Sequence, residues 1–197
     1  MGKRAMDLLF AVLGLVLFAP LMLALAIAIK LDSPGPVFFR QERVGRGGRV
    51  FRIHKFRTMV QRPSDGLQLT VGHDARITRV GQWIRGRRFD EIPQLIDVFV
   101  GDMSIVGPRP EVPRYVALYP AQVREKVLSV RPGITDPAAL AFRDEAELLA
   151  KASDPEREYV EAIMPRKLQH AVAYVERASV WTDLLLIGRT LRVLATG

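Results

Sequence analysis

The chain has 197 residues, no cysteine and a formal net charge of +8, enough for one domain with a hydrophobic core and some additional segments. The lack of cysteine excludes disulfides and thiolate metal sites, and the three histidines, at 54, 73 and 170, show no HExxH or other paired spacing, which argues against a histidine-based zinc site. The charge is uneven: residues 30–110 hold fifteen Lys/Arg against eight Asp/Glu, and residues 111–197 hold twelve of each. A basic surplus beside an apolar segment suits an anionic ligand, an anionic membrane face or both. A nucleic-acid partner would want aromatic or recognition-helix features that the sequence does not offer.

The apolar segment comes first. Leu8–Ile29 is a run of 22 residues without a charge, the length of a membrane-crossing helix. It is too long for the core of a signal peptide. Pro20, in "LFAPLML", lies near its middle and predicts a kink, because proline removes one helix hydrogen bond and crowds the preceding turn. Basic residues stand on both sides, Lys3 and Arg4 before, Lys30, Arg40 and Arg43 after, so the excess of positive charge selects no orientation. Two geometries fit: a kinked span, or a segment that bends at Pro20 and returns to the side it entered, each arm being roughly 16 Å of helix.

"DSPGP" (32–36) ends this segment, since Ser-Pro and Gly-Pro break regular structure. The following stretch, with glycines at 45, 47 and 48 and the alternating "VFRIHKF", predicts a strongly basic β-hairpin over about 37–58. Residues 60–75 read as a polar loop. "ITRVGQWIRGRR" (77–88) predicts a short helix, and "DEIPQLIDVFVG" (90–101) a second one. In that second helix Asp90 is the N-cap, Pro93 lies in the first turn, Gly101 follows the C-terminus, and Ile92, Leu95, Ile96 and Phe99 form the apolar face. "GPRPEVPRY", with prolines at 108, 110 and 113, predicts a stiff loop that fixes Arg109, and "RPGITDP" a similar loop holding Arg131. "SDPERE" opens a helix capped by Ser153 or Asp154, with Pro155 at its first position and an interruption at Pro165. The final "SVWTDLLLIGRTLRVLATG" predicts an amphipathic helix, either packed on the domain or lying in a membrane interface.

The chemistry centres on Asp90 and Glu91. A first-turn acidic pair suits any helix start. It also suits phosphoryl chemistry, because Arg85, Arg87 and Arg88 adjoin it and a carboxylate among cations stays ionised. Such a carboxylate can attack phosphorus, while its neighbour holds Mg²⁺, a hard ion that takes carboxylate and phosphate oxygens.

Five segments in order, "SPGPVFFRQERVGRGG", "KFRTM", "DEIPQL", "GDMSIVGPRP" and "RPGIT", resemble the bacterial sugar transferase family, the small monotopic phosphoglycosyl transferases. The resemblance implies an enzyme that moves a sugar 1-phosphate from a UDP-sugar to polyprenyl (undecaprenyl) phosphate and releases UMP, a phosphotransferase reaction that initiates lipid-linked glycan synthesis. It implies Asp90 as the nucleophile of a covalent phosphosugar intermediate and Glu91 as the Mg²⁺ ligand. Lys55, Arg57, Arg85, Arg109 and Arg131 match the basic residues around the phosphates. It further implies a location at the cytoplasmic face of the bacterial inner membrane.

The fold expected is α+β. Residues 1–31 form a re-entrant helix–break–helix hairpin bent at Pro20. Residues 32–197 form a small, mainly helical catalytic domain with the basic β-hairpin and amphipathic interfacial helices. The family's usual serine before that proline is here Ala19. The pattern also departs after Thr135, where "DPAALAFRDEAELLA" replaces the more common Gly-Trp-Ala-Gln, and at Ala171, where relatives carry an acid upstream of the tyrosine matching Tyr174. The chain therefore reads as a minimal catalytic unit whose sugar, polyprenol and oligomeric state (a dimer is one option) the sequence leaves open. The competing readings are a non-enzymatic membrane-anchored scaffold that binds anionic lipid through the hairpin, and a tethered nucleic-acid binder. Neither favours acids placed among arginines.

Overall fold

The structure, a computed structural model, describes residues 2–60, 74, 76–142 and 145–196. Most of the loop expected over 60–75, with His73, lies outside the described residues. The fold is mixed α/β and mostly helical, led by a long apolar helix, α1 (Gly2–Asp32). β1 (Phe38–Val44) and β2 (Val50–Phe56) pair antiparallel, Phe38 opposite Phe56 and Val44 opposite Val50. α2 (Arg79–Gly86) starts at Thr78, whose hydroxyl accepts the Gly81 N–H at 3.0 Å. α3 (Gln94–Val100) ends on Gly101 in the left-handed region, φ 98°, where glycine carries no steric penalty.

α1 is continuous through Pro20, where the sequence predicts a break. Pro20 lies on the exposed face of the helix, so the missing N–H disturbs no packed surface. On the other face α1 grips the domain along its whole length. Near its start, the Lys3 ammonium reaches the Val106 carbonyl at 2.9 Å, the Tyr174 hydroxyl at 3.2 Å, and the Asp183 carboxylate. Arg4 donates to the Val98 and Phe99 carbonyls at 2.8 and 3.0 Å, satisfying free acceptors at the end of α3. Buried Asp7 accepts from the Ser104 hydroxyl and the Ile105 N–H at 2.9 and 3.0 Å. Toward its end, Leu25 and Ile29 pack with Phe56 and Ile84, and Asp32 accepts the Val80 N–H at 3.1 Å. The outward face, with Leu9, Leu13, Val16, Leu17, Leu23, Ile27 and Leu31, is left exposed. By length and composition α1 can cross a membrane.

Two expected loops contain structure. β3 (Ser104–Val106) and β4 (Gly133–Thr135) form a short parallel pair, Ser104 opposite Gly133 and Val106 opposite Thr135. Three-residue strands carry no periodic signal, and β4 is hidden in a Pro-Gly context that normally reads as a turn. Within the proline-rich stretch, Pro113 starts α4 (Pro113–Val116), because proline is tolerated where the N–H has no helical acceptor. α5 (Ala121–Leu128), α6 (Pro137–Ala141), α7 (Glu145–Lys151), α8 (Pro155–Glu158) and α9 (Met164–Arg177) follow. Asp154 caps α8 by accepting the Arg157 N–H at 3.0 Å. Pro165 does not interrupt the helix: a π-helical turn over Tyr159–Ile163 leads into α9, and its wider spacing accommodates the proline ring. α10 (Val180–Thr196) closes the chain. It buries Asp183 and exposes Trp181 and Leu191, the division expected of an amphipathic helix.

The apolar core lies in three clusters. One joins Ala11 of α1 to Phe51, Ile53, Val98, Met103, Val106 and Tyr174, a second fills the space among α4, α5, α7 and α9, and the third holds the far half of α1. The face of α3 that turns inward carries Gln94, Asp97 and Val98. The predicted apolar face does not: Phe99 is exposed, and Leu95 meets Gly14 of α1. Leu95 thus packs toward the apolar helix, while Gln94 and Asp97 turn inward beside Val98.

Backbones meet most closely at Gly107 and Gly133, between β3 and β4. A Cβ at Gly133 would lie 2.0 Å from the Gly107 nitrogen. Gly133→Ala is therefore expected to separate the two strands and destabilise the fold by at least ~3 kcal/mol. Thermal unfolding in detergent checks this, and a midpoint equal to that of the unchanged protein would show that the strands can move apart freely.

Candidate active site

Arg88 holds φ 56° and ψ 23°, the left-handed region, and is the one non-glycine with positive φ among the described residues. That conformation is rare for a residue with a Cβ and turns the chain sharply out of α2. Phe89–Glu91 then form a 3-10 turn, and α3 begins only at Gln94. Asp90 is consequently not the N-cap of a regular α-helix, as the sequence predicts. Its carboxylate makes no capping hydrogen bond and is left for other partners.

Those partners come from two other segments. Lys55, on β2, places its ammonium 2.8 Å from Glu91 Oε1 and 3.6 Å from Asp90 Oδ2. Arg109, in the proline-rich loop after β3, donates to the same Glu91 oxygen at 2.5 Å. Both carboxylates are largely buried, with side-chain exposures of 13% and 14%. Burial works against ionisation of Glu91, but Arg109 and then Lys55 outweigh it and hold that carboxyl well below the usual range. Asp90 differs. Burial pushes its carboxyl up and adjacent Glu91 adds to this, against the opposing pull of Lys55, Arg85 and Arg109. The expectation that cations keep Asp90 ionised thus meets a stronger force from desolvation, and the two neighbouring carboxyls are driven apart in acidity.

Of the basic residues singled out from the sequence, Lys55, Arg85 and Arg109 act on the pair. Arg57 does not. It is 2% exposed, and its guanidinium is spent on the end of α1, donating to the carbonyls of Ser33 at 2.7 Å, Ile29 at 3.3 Å and Pro34. Lys55, two residues earlier, reaches the site from β2, whereas Arg57 lies just past the end of that strand. Arg131 anchors the other end of α3, its Nε donating to the Gly101 carbonyl at 2.8 Å.

Sequence reading missed a second buried group beside Arg109. Glu111 accepts from Arg43 at 3.1 Å and from the Tyr159 hydroxyl. Arg43 also donates to the Pro110 carbonyl at 3.2 Å, which ties the proline-rich loop to β1. Burial, reinforced by Glu111, pushes the Tyr159 phenol far above its ordinary range. One signal was available: an acid isolated in a stretch of prolines has few ways to be solvated except by a partner from elsewhere in the chain. Gln94 was also missed as a polar core residue. It is 2% exposed and its amide nitrogen has no partner among the described residues.

The arrangement is a buried acidic pair reached by cations from separate segments. It can receive a polyanion and offers carboxylate oxygens to a metal ion or an electrophile.

The model of the bacterial sugar transferase family matches residues 1–197. The chain is 42% identical over 198 residues to a UDP-N-acetylgalactosamine-undecaprenyl-phosphate N-acetylgalactosaminephosphotransferase of Aeromonas hydrophila, a match covering 99% of this chain and 44% of the relative. It is 38% identical over 191 residues to a UDP-glucose:undecaprenyl-phosphate glucose-1-phosphate transferase of Xanthomonas campestris, covering 94% of this chain and 37% of the relative. A protein of the same description from Caulobacter vibrioides is 40% identical over 199 residues, covering 98% of this chain and 70% of the relative. The chain thus spans less than half the length of the first two.

Arg109→Leu removes the strongest of the attractions that hold Glu91 ionised, so its carboxyl should titrate upward, as read by ¹³C NMR of labelled glutamate. The effect on stability follows. A depressed carboxyl contributes stability above its unfolded pKa, about 4.3, and that stability is lost as pH falls through the folded value. The variant should lose much of this contribution at neutral pH, and acidification from pH 7 should cost it less than it costs the unchanged protein. Parallel melting curves against pH would expose the error if the two profiles coincided.

Proposed function

Because the chain belongs to the bacterial sugar transferase family, we propose that it transfers a sugar 1-phosphate from a UDP-sugar to polyprenyl phosphate, as undecaprenyl phosphate, and releases UMP. In this reading it begins the assembly of a lipid-linked glycan at the cytoplasmic face of the bacterial inner membrane. Residues 1–31 serve as the membrane segment and residues 32–197 as the catalytic part. The observation that carries the reading is the buried Asp90–Glu91 pair with Lys55 and Arg109 converging on it. A lipid-binding scaffold gains nothing from two desolvated carboxylates at the centre of its basic surface.

The transfer takes two displacements. A carboxylate oxygen of Asp90 attacks the phosphorus that bears the sugar. The bond from that phosphorus to the bridging oxygen breaks, and UMP leaves with the electron pair. An oxygen of polyprenyl phosphate then attacks the same phosphorus, the bond to Asp90 breaks, and the carboxylate is restored as the polyprenyl diphosphate sugar departs. Arg109, Lys55 and Arg85 orient the phosphates and offset the charge that develops on the transferred group and on UMP. The largely desolvated setting strengthens each of these contacts and keeps water from the acyl phosphate.

Among the described residues no three carboxylate or imidazole groups are clustered to enclose a metal. Mg²⁺ commonly binds through one or two carboxylates together with substrate phosphates, and Asp90 and Glu91 suit that mode, with Glu91 as its holder. Bound there, Mg²⁺ would neutralise charge on the phosphate oxygens.

The membrane arrangement is part of the proposal. Both ends of α1 lie on one face of the membrane, and its exposed apolar face meets lipid from that side. Support comes from the grip of the same domain on Lys3, Arg4 and Asp7 at one end and on Ile29 and Asp32 at the other. A helix crossing the bilayer would have to release one set.

Asp90→Asn should abolish turnover with the fold intact, since asparagine is nearly isosteric and removes only the nucleophilic oxygen. A single-turnover reaction with labelled UDP-sugar and no acceptor should release stoichiometric UMP and leave a labelled protein adduct, absent in Asp90→Asn. UMP release that strictly requires the lipid, with no adduct under any quench, would instead favour direct transfer.

Cysteines introduced one at a time at Gly2 and Lys30, both exposed, into this cysteine-free chain should label from the same side of sealed membrane vesicles. Labelling from opposite sides would sink the one-face arrangement.

A further inference from the structure

The Lys55 ammonium stands between two buried carboxylates, yet Lys55 belongs to a sheet of only two strands, which has little stability of its own. The placement of that ammonium depends on what holds β2 against the segment 89–100. One residue before Lys55, buried Asp97 of α3 makes two bonds to His54. Its Oδ2 accepts the His54 backbone N–H at 2.8 Å, and its Oδ1 lies 2.6 Å from His54 Nδ1. The first bond takes the strand's outward N–H, on the edge that β1 does not cover.

The ring's other nitrogen, Nε2, lies 2.6 Å from Arg40 NH1. A guanidinium can only donate, so Nε2 accepts and the ring proton sits on Nδ1, where it is given to Asp97. Arg40 in turn donates to the Arg52 carbonyl at 2.9 Å, and Phe38 sets its ring edge-on to the imidazole at 5.9 Å. The imidazole is thus held in one tautomer and one orientation by β1, β2 and α3 together.

We propose that His54 and Asp97 are positioning residues that lock β2 along the segment carrying Asp90 and Glu91 and so fix the Lys55 ammonium between the two carboxylates. The segment is tied to β2 at two points: Glu91 through Lys55, and Asp97 through His54. The Asp97 bond to a main-chain N–H sets how far β2 slides along the segment, and the ring bond sets its rotation. Lysine has a flexible four-carbon stem, so without the tie its ammonium samples positions off the reaction axis while still neutralising charge nearby. The consequence falls on the chemical step rather than on substrate binding.

This inference rests on the reading of Asp90 and Glu91 as the reaction centre, and the experiment separates the two. UMP release by the full chain in lipid nanodiscs is measured for Asp97→Ala, Asp97→Asn, Lys55→Ala and the double variant Asp97→Ala/Lys55→Ala, with thermal melts giving the folded fraction. Asp97→Ala should lower kcat per folded enzyme roughly ten- to hundredfold and leave KM for the UDP-sugar within about twofold. Asp97→Asn, which keeps an acceptor oxygen for the His54 N–H, should recover most of that loss. In the Lys55→Ala background, Asp97→Ala should have almost no further effect, because the group it positions is gone. Losses that multiply in the double variant, or a kcat per folded enzyme unchanged in Asp97→Ala, would overturn the positioning role and leave the reaction centre standing. Wild-type turnover by Lys55→Ala would overturn both. If Asp97→Ala does not fold, His54→Gln, which keeps the main-chain bond to Asp97, takes its place with a smaller loss and the same lack of additivity.

Discussion

Two carboxylates in adjacent positions and largely out of water cannot stand without cations. That requirement organises the molecule. Glu91 is satisfied only because a lysine from the hairpin and an arginine from the loop after β3 converge on one of its oxygens. Neither cation is local in sequence. The hairpin must therefore pack on the 89–100 segment, and the proline-rich loop must be rigid enough to hold a guanidinium in place. A buried carboxylate that loses its cations costs several kcal/mol, so assembly of the site and assembly of the fold are one event. The left-handed Arg88 belongs to the same constraint. It spends conformational energy to turn Asp90 and Glu91 inward, away from the capping position their sequence would suit.

Much of this could be read from the sequence, and what could not has identifiable causes. The hairpin was visible because its alternation and glycines report directly on strand and turn, and α8 because Asp154 caps it in the ordinary way with Pro155 at its first position. Asp90 and Glu91 stood out as an acidic pair beside Arg85, and the roles expected of them and of Lys55 and Arg109 came from the resemblance of their segments to a family. Composition alone gave only a basic half-chain. β4 was missed because three residues among proline and glycine have no period. The inward face of α3 was misjudged because it buries the polar Gln94 and Asp97 beside Val98, and periodicity counts apolar residues only. Arg57 lies just past the end of the strand that carries Lys55, and its bonds to three carbonyls at the end of α1 were not legible because partners distant in sequence leave no local pattern.

The same distinction between local and distant partners separates the two carboxyls of the pair. Glu91 is engaged by two cations at hydrogen-bonding distance, whereas Asp90 meets Lys55 at 3.6 Å. Adjacent residues with one chemical group thus acquire opposite tendencies, one fixed as an anion and one pushed toward neutrality.

The contact between Lys3 and Asp183 has a consequence for the order of events during synthesis. The two residues lie 180 positions apart, so when the apolar helix leaves the ribosome the acid that will hold its first turn does not yet exist. At ~5–20 residues per second, roughly 10–40 s pass before Asp183 is made. Throughout that interval the helix end carries an unpaired ammonium, next to a guanidinium whose acceptors on α3 also lie far downstream. Those charges oppose passage of the end through a bilayer. α10 then closes the arrangement by supplying a buried counter-ion, so a helix translated long after α1 secures its position.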